Sequence, residues 1–192
     1  MNKKRENIKK LVSISLFAAM IIVLQLISNY VTFGPVSITL ALTPVIVGSI
    51  IYGPKAGFIL GAVQGIVIVT APSTNLFLSE TVFGTILVCV LKTGIAGLVS
   101  GYVYKAFKNT KFGVILASVL VPIINTGIFT LASFTIFLPL IKSLAGGSGV
   151  DIYKFVFVIM IGTNFIIELV VNSALSPMVI RIKDIYINNN SK

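Results

Sequence analysis

The distribution of charge is the feature that most constrains how this chain can fold. Between Leu11 and Ile182 the sequence consists of about six apolar runs, and most of its Lys and Arg residues lie in every second gap between them. Runs of roughly 17–25 apolar residues are long enough to cross about 30 Å of hydrocarbon as an α-helix. Short cytoplasmic loops retain Lys and Arg. The pattern therefore predicts an all-α protein that crosses a membrane several times.

The composition excludes the main soluble classes. Hydrophobic residues make up 56% of the 192 residues and charged residues only 10%, whereas a soluble domain carries about 25% charged residues. The net charge of +10 comes mostly from the tails and alternate loops, so we expect contact with anionic lipid headgroups. A nucleic-acid site would need a basic, water-facing stripe with aromatic residues for stacking, and no soluble portion is long enough to supply one.

Several chemistries are also missing from the sequence. The chain has no histidine and a single cysteine, Cys89, so a zinc site and an internal disulfide are not expected. Cys89 is interpreted as a small residue that faces lipid or the core. No glycine-rich loop ending in Gly-Lys-Ser/Thr is present. We therefore expect no metal or cofactor, and no ATP hydrolysis by this chain.

The apolar runs predict a bundle of six transmembrane helices. Their expected bounds are Lys10–Val31, Ile38–Tyr52, Lys55–Thr70, Glu80–Phe107, Phe112–Leu140 and Tyr153–Ile182. The basic gaps place both termini in the cytoplasm, which an even number of spans allows. The organisation is then a cytoplasmic segment at 1–9, the membrane domain at 10–182 and a disordered cytoplasmic tail at 183–192.

Two charged residues lie deep inside predicted spans. Lys92 is about twelve residues from the outer end of span 4 and Glu168 about fifteen from the outer end of span 6, or roughly 18 and 22 Å at 1.5 Å per residue. A lone charge at mid-bilayer costs at least about 2.5–3.5 kcal/mol. We therefore predict that both side chains face the bundle interior. Glu168 either contacts a ligand or pairs with Lys92.

Amides accompany these charges. Asn164 and Asn172 lie four residues before and after Glu168, which puts all three on one helix face. Asn125 lies near the middle of span 5, and Gln64 lies inside span 3. Membrane amides often serve only as bonds between helices. That role is favoured for Gln64 and Asn172, whereas ligand contact is slightly favoured for Asn125 and Asn164.

Small residues form a further pattern. Glycines repeat every four residues on spans 3 and 4, at Gly57, Gly61, Gly65, Gly97 and Gly101. Such ridges let helix backbones approach closely, and internal packing is the favoured interpretation for both spans. On span 1, by contrast, Ser15, Ala18 and Ala19 leave a smooth patch where a partner protein could dock.

These features together resemble a known family. The sequence carries Leu-Thr-Pro at 42–44, Tyr-Gly-Pro-Lys-Ala-Gly at 52–57, Gly-Thr-Ile at 84–86 followed by Lys92, Asn-Thr-Gly at 125–127 and Asn-Phe-Ile-Ile-Glu at 164–168. This ordered set, with the six-helix plan, resembles the substrate-binding S components of energy-coupling factor (ECF) vitamin transporters. The resemblance covers nearly all of residues 8–182.

The resemblance implies a mechanism and a set of partners. S components bind a vitamin in an outward-facing pocket, which is lined by the outer halves of helices 4 to 6 and capped by outer loops such as the one around Asn75. Small residues of helix 1 dock onto a membrane coupling protein that carries two ATPase subunits. The S component is thought to topple in the bilayer and release the vitamin inside. Asn75 therefore joins the candidate substrate-binding residues.

The resemblance also suggests the vitamin. In riboflavin members a helix 4 lysine and asparagines of helices 5 and 6 touch the ligand, and these match Lys92, Asn125 and Asn164. Those members tend to open helix 2 with an acidic Asp-x-Pro stretch, where this chain has Leu-Thr-Pro at 42–44. The sequence of helices 2 and 3 is more similar to that of pantothenate-type members. Lys92 suits a carboxylate ligand, such as that of pantothenate.

The expected function is therefore vitamin binding, with pantothenate first and riboflavin or another B vitamin second. A membrane scaffold subunit without a ligand is the competing class, and it would have no polar pocket between helices 4, 5 and 6. An intramembrane enzyme would need a nucleophile and a base side by side, and the spans offer no convincing pair.

Overall fold

The computed structural model describes residues 3–30, 32–33, 36–37, 41–107 and 110–190, and nearly all of them are helical. The helices are α1 (Lys3–Ser28), α2 (Leu42–Tyr52), α3 (Pro54–Ile68), α4 (Asn75–Glu80), α5 (Val82–Ala106), α6 (Lys111–Phe134), α7 (Leu138–Gly147), α8 (Ile152–Lys154) and α9 (Thr163–Asn190). A short 3-10 turn, Pro72–Thr74, precedes α4, and a π-helical segment, Phe155–Gly162, joins α8 to α9. After α1, β1 (Thr32–Phe33) pairs antiparallel with β2 (Val36–Ser37).

The predicted all-α membrane architecture is confirmed at the level of its long helices. In the described part, four segments are long and apolar enough to cross a membrane, namely Asn7–Ser28, Val82–Ala106, Lys111–Phe134 and Ile152–Tyr186. A fifth arises if α3 and Pro72–Glu80, which meet at 79°, are counted as one bent span.

Helix α2 is shorter than the short second helix predicted for Ile38–Tyr52. It has 11 residues, which is about 16 Å at 1.5 Å per residue and roughly half of the hydrocarbon thickness. Residues 38–40 lie outside the described part of the chain. Nearly all of α2 is buried, as expected for a short apolar helix that fills the centre of a bundle.

The predicted fifth span ends earlier than expected. Helix α6 ends at Phe134, and a separate helix, α7, begins at Leu138. Pro139 explains the break, because its ring lacks an N–H and would clash with the carbonyl of Thr135 in a continuous helix. Proline is well tolerated in the first turn of α7, where it stands.

Helix α9 extends beyond Ile182, the predicted end of the sixth span. It continues to Asn190, through most of the segment expected to be disordered, and residues 191–192 are outside the description. Lys183 is buried and its ammonium lies 2.9 Å from Asp184 Oδ1. Packing of Lys183 against the bundle explains why the helix persists beyond the apolar run.

The glycine ridges form the closest helix pair in the bundle. A methyl group added to Gly61 would collide with the backbone of Thr93, and one added to Gly57 would collide with the carbonyl of Gly97. The hydroxyl of Thr93 donates to the Gly61 carbonyl at 2.6 Å, and that of Ser49 donates to the Gly97 carbonyl at 2.7 Å. Internal packing, the favoured interpretation of these glycines, is therefore what the structure shows for α3 and α5.

A buried polar network joins α1 to α3. Gln64 Nε2 donates to Gln25 Oε1 at 3.1 Å, and Gln25 Nε2 donates to Asn29 Oδ1 at 2.9 Å. Asn29 Nδ2 in turn donates to Thr70 Oγ1 at 3.3 Å. Gln64 thus makes the bond between helices that its sequence context favoured, and such bonds hold membrane helices together because lipid offers no alternative partner.

We predict that Gly61→Ala destabilises the protein, whereas Gly127→Ala does not. The new methyl at position 61 has no space beside Thr93, while nothing lies within 4 Å of the corresponding position at Gly127. Overpacking costs about 1–3 kcal/mol, so the midpoint of thermal unfolding in detergent should fall by roughly 2–12 °C for Gly61→Ala. Equal midpoints for the two variants would contradict this packing.

Candidate functional site

A small cavity lies among α4, α5, α6 and the segment that leads into α9. Its volume is about 60 Å³. The lining residues are Ile68, Ser73, Thr74, Phe77, Thr85, Val88, Cys89, Lys92, Asn125, Thr126, Phe129, Phe137, Met160, Ile161, Asn164, Phe165 and Glu168. A polar hollow therefore exists where a scaffold subunit without a ligand was expected to have none.

Lys92 reaches this cavity because of how α5 packs. The hydroxyl of the next residue, Thr93, is bonded to α3 through the Gly61 carbonyl, and successive helical residues point about 100° apart. Lys92 therefore projects away from α3, and only 9% of it is exposed. Its ammonium lies 5.2 Å from the centre of the Phe129 ring, within the range of a cation–π contact.

Glu168 and Asn125 meet across the cavity. Asn125 Nδ2 donates to Glu168 Oε2 at 3.4 Å, and Glu168 is only 5% exposed. Since a carboxylate accepts hydrogen bonds, it orients the Asn125 amide with its NH₂ toward Glu168. Asn125 Oδ1 is then buried and has no hydrogen-bond partner in the described part of the chain. The site thus holds an acceptor that can serve a ligand donor.

Asn164 and Asn172 occupy different surroundings, although both share a helix face with Glu168. Asn164 lines the cavity, and its Nδ2 donates to the Met160 carbonyl at 3.4 Å. Asn172 lies one turn beyond Glu168, where it accepts a bond from Thr43 Oγ1 at 3.2 Å and donates to the Glu168 carbonyl at 2.8 Å. Asn172 therefore connects α9 to α2, in line with its expected structural role.

Four of the five candidate substrate-binding residues come together in this cavity, namely Lys92, Asn125, Asn164 and Glu168. Both charged side chains face the interior, as their cost in lipid requires. Asn75 is the exception, because it is exposed at the start of α4 and is not part of the lining. Its position follows from the preceding 3-10 turn, which directs Ser73 and Thr74 to the cavity instead. The ion pair between Lys92 and Glu168 stays a prediction.

The candidate docking residues of α1 do not all face the same way. Ser15 and Ala19 are exposed, whereas Ala18 is partly buried against the core around Ile21 and Leu60. The exposed face also carries large apolar residues such as Leu16 and Met20. Of the three candidates, Ser15 and Ala19 are therefore the exposed ones.

Three phenylalanines form one end of the cavity. The Phe77 ring packs edge to face on Phe129 and on Phe137, with ring centres 5.6 and 5.0 Å apart. Phe77 belongs to α4, and Phe137 lies in the turn between α6 and α7. This aromatic cluster separates Lys92 from the loops at that end.

The sequence interpretation overlooked several lining residues. Thr85, Val88 and Cys89 precede Lys92 by seven, four and three positions, which is the spacing of one helix face. Because Lys92 was predicted to face the bundle interior, this spacing could have identified the three residues as lining residues as well. Ser73 and Thr74 carried no comparable signal, because their positions depend on the irregular turn before α4.

Comparison with known proteins agrees with these features. The family model for the substrate-specific component of ECF transporters matches residues 9–180. The pantothenic acid transporter PanT of Lactococcus lactis subsp. cremoris (strain MG1363) is 30% identical over 151 residues, which cover 70% of this chain and 76% of that protein. No solved structure matches the chain significantly.

We predict that Phe137→Ala opens the cavity to water-soluble reagents. The chain's single cysteine, Cys89, is buried in the lining and so reports on access from within. Removing the Phe137 ring takes away one side of the aromatic cluster, and alkylation of Cys89 by a maleimide should accelerate by about tenfold, since reactivity follows exposure. The control is Phe83→Ala, which removes a lipid-facing ring from the same helix as Cys89. Equal rates in the two variants would contradict the role of Phe137.

Proposed function

Because this chain belongs to the substrate-specific components of ECF transporters, we propose that it captures pantothenate for import. Membership makes it a multi-pass protein of the cell membrane and a vitamin-specific subunit of a transporter rather than an enzyme. Components of this family work with a membrane coupling protein and ATPases. We extend that assembly to this chain, so that two partner ATPase subunits supply the energy.

The observation that carries the proposal is the position of Lys92. Its ammonium is buried in a cavity that also holds two asparagines and a carboxylate. A buried cation binds a carboxylate ligand strongly, since charge-assisted hydrogen bonds are about twice as strong as neutral ones. Pantothenate carries one carboxylate, and a lactococcal relative is named a pantothenic acid transporter.

Asn125 and Glu168 suit the rest of the same molecule. The buried Oδ1 of Asn125 needs a donor, and leaving such a group unpaired costs about 1–3 kcal/mol. Pantothenate offers two hydroxyl groups and an amide N–H. Glu168 then holds Asn125 in place through its bond to Nδ2, with Lys92 or a ligand hydroxyl as its further partner.

The cavity is too small to hold a vitamin in its present form. Its 60 Å³ corresponds to about two water molecules, while small-molecule sites usually measure roughly 300–1,000 Å³. Occupation by a vitamin therefore needs the lining to move outward. We assign this movement to α4 and the turn that carries Phe137, because both are short elements at one end of the cavity.

The same proposal includes the topology. We place six membrane-crossing segments in the chain, with α2 in the second and α3 in the third. Both termini and the basic gaps containing Lys55, Lys105 and Lys111 face the cytoplasm. The cavity end formed by α4 and Phe137 then faces outward. Positions 1–9 and the end of α9 would extend into the cytoplasm.

Riboflavin is the second candidate, since Lys92, Asn125 and Asn164 all line the cavity. A larger ligand requires a larger displacement of the lining, which places riboflavin behind pantothenate.

Docking onto the coupling protein is assigned to Ser15 and Ala19 on the exposed face of α1. Ala18 contributes to the internal packing of that helix.

We predict that Lys92→Ala weakens pantothenate binding by more than tenfold and leaves the protein folded. Loss of one charge-assisted hydrogen bond, about 1.5–3 kcal/mol, accounts for this change. Titration calorimetry of pantothenate into the purified protein measures the change in affinity. A separate titration with riboflavin tests the second candidate ligand. Lys142→Ala is the control, because Lys142 is exposed on α7 and outside the lining. Unchanged affinity in Lys92→Ala would exclude the neutralising role, and no binding of any B vitamin would exclude the function.

We predict that Ala19→Phe disrupts assembly and spares vitamin binding. A phenyl ring at the exposed position 19 breaks the smooth patch, whereas Met20→Phe replaces one large exposed side chain by another about 100° away. Co-purification with the coupling protein and ATPases should be lost in the first variant and kept in the second. Normal assembly of Ala19→Phe would move the docking surface elsewhere.

A further inference from the structure

A second cavity lies far from Lys92 along α5, near that helix's C-terminal end. Its volume is about 350 Å³, which is within the range of small-molecule sites and several times that of the first cavity. Its lining residues are Ser49, Ile50, Ile51, Tyr52, Gly53, Gly101, Tyr104, Lys105, Lys183 and Tyr186. None of them lines the cavity around Lys92, so a ligand bound here would be independent of the proposed vitamin.

The charge of this cavity is positive. Its lining contains two lysines, Lys105 and Lys183, and no carboxylate. Asp184, next to the cavity, pairs with Lys183 at 2.9 Å and uses one of its three N–H donors. Within the described part of the chain, Lys105 has no carboxylate within 4.0 Å. Two ammonium groups therefore border the cavity, and Asp184 is the one carboxylate beside them in the described part of the chain.

The backbone around the cavity does not cancel this charge. Gly53 joins the C-terminal end of α2 to the N-terminal end of α3, so partial charges of opposite sign meet there. The C-terminal end of α5 contributes a partial negative charge, and Lys105 stands in that last turn. Lys105 Nζ lies beside Gly53, since a methyl group built there would be in ordinary contact with it at 3.8 Å. The two lysines therefore make the electrostatic potential in the cavity positive.

Tyrosines supply directional donors and a firm wall. Tyr52, Tyr104 and Tyr186 all line the cavity. A phenol O–H can donate to an anion, but the Tyr52 hydroxyl is hydrogen-bonded to Ser13 and to Tyr186. The Tyr52 ring packs edge to face on Tyr186, with centres 5.6 Å apart, and on Phe17 of α1, with centres 6.2 Å apart. The hydroxyl-bearing wall is therefore held by contacts among α1, α2 and α9.

We propose that this cavity binds an anion that carries a phosphate group, through Lys105, Lys183 and the tyrosine hydroxyls. A phosphate presents several acceptor oxygens and so can engage two ammonium groups and a phenol together. The source is either the headgroup of an anionic phospholipid or a free phosphate. Both fit the chemistry of the lining, and the experiment separates them.

The test measures thermal unfolding of the full chain in nanodiscs. One series compares phosphatidylcholine alone with phosphatidylcholine containing phosphatidylglycerol. A second series adds inorganic phosphate to phosphatidylcholine nanodiscs, against chloride at equal ionic strength. The variants are Lys105→Gln, the charge-conserving Lys105→Arg, and the control Lys111→Gln, which removes an exposed charge outside the lining.

A rise in the unfolding midpoint with phosphatidylglycerol identifies a lipid headgroup, and a rise with inorganic phosphate identifies a free phosphate. In either case Lys105→Gln should weaken the apparent affinity by about tenfold, while Lys105→Arg and Lys111→Gln retain it. The proposal is overturned if neither probe raises the midpoint. It is also overturned if Lys105→Gln and Lys111→Gln lose the effect equally, because the attraction would then be diffuse surface charge.

Discussion

The close approach of α3 and α5 is the constraint on which the rest of the structure depends. Gly57, Gly61 and Gly97 allow backbone contact, and the Thr93 hydroxyl fastens α5 to the Gly61 carbonyl. This contact fixes the rotation of α5, and the rotation turns Lys92 about 100° from the Thr93 contact and into the cavity. An ammonium inside a membrane is tolerated only when it is turned inward. The glycines are therefore a condition for the position of Lys92 in the cavity as well as for packing.

The buried polar side chains of the bundle occupy two different kinds of surroundings. Gln25, Gln64 and Asn29 bond to one another between α1 and α3 and line neither of the two cavities in the described part of the chain. Around Lys92 the polar groups border open space instead. An acceptor without a partner among the described residues occurs in both groups, at Gln64 Oε1 and at Asn125 Oδ1, so the open space is what distinguishes them. Amides that bond to each other hold helices together, whereas polar groups around a cavity are suited to receive a solute.

The sequence predicted more of the site than of the helix bounds. Lys92 and Glu168 could be placed inward because the cost of a charge in lipid leaves no other choice, and Asn164 follows from its spacing to Glu168. The exposure of Asn75 could not be foreseen, since it depends on an irregular turn. The break at Pro139 was foreseeable from proline geometry, but the apolar run around it suggested continuity. A short second helix was predicted from its apolar run, but hydropathy alone does not reveal that α2 is buried among other helices.

The cluster of Phe77, Phe129 and Phe137 has a kinetic consequence. A solute can reach Lys92 from that end only while the rings are apart, so the rate of capture is limited by how often they separate and lies below the rate of diffusional encounter. The same rings delay departure of a captured molecule. Under the proposed function, this barrier gives a long residence time and a low turnover, which suits a nutrient that is scarce and needed in small amounts.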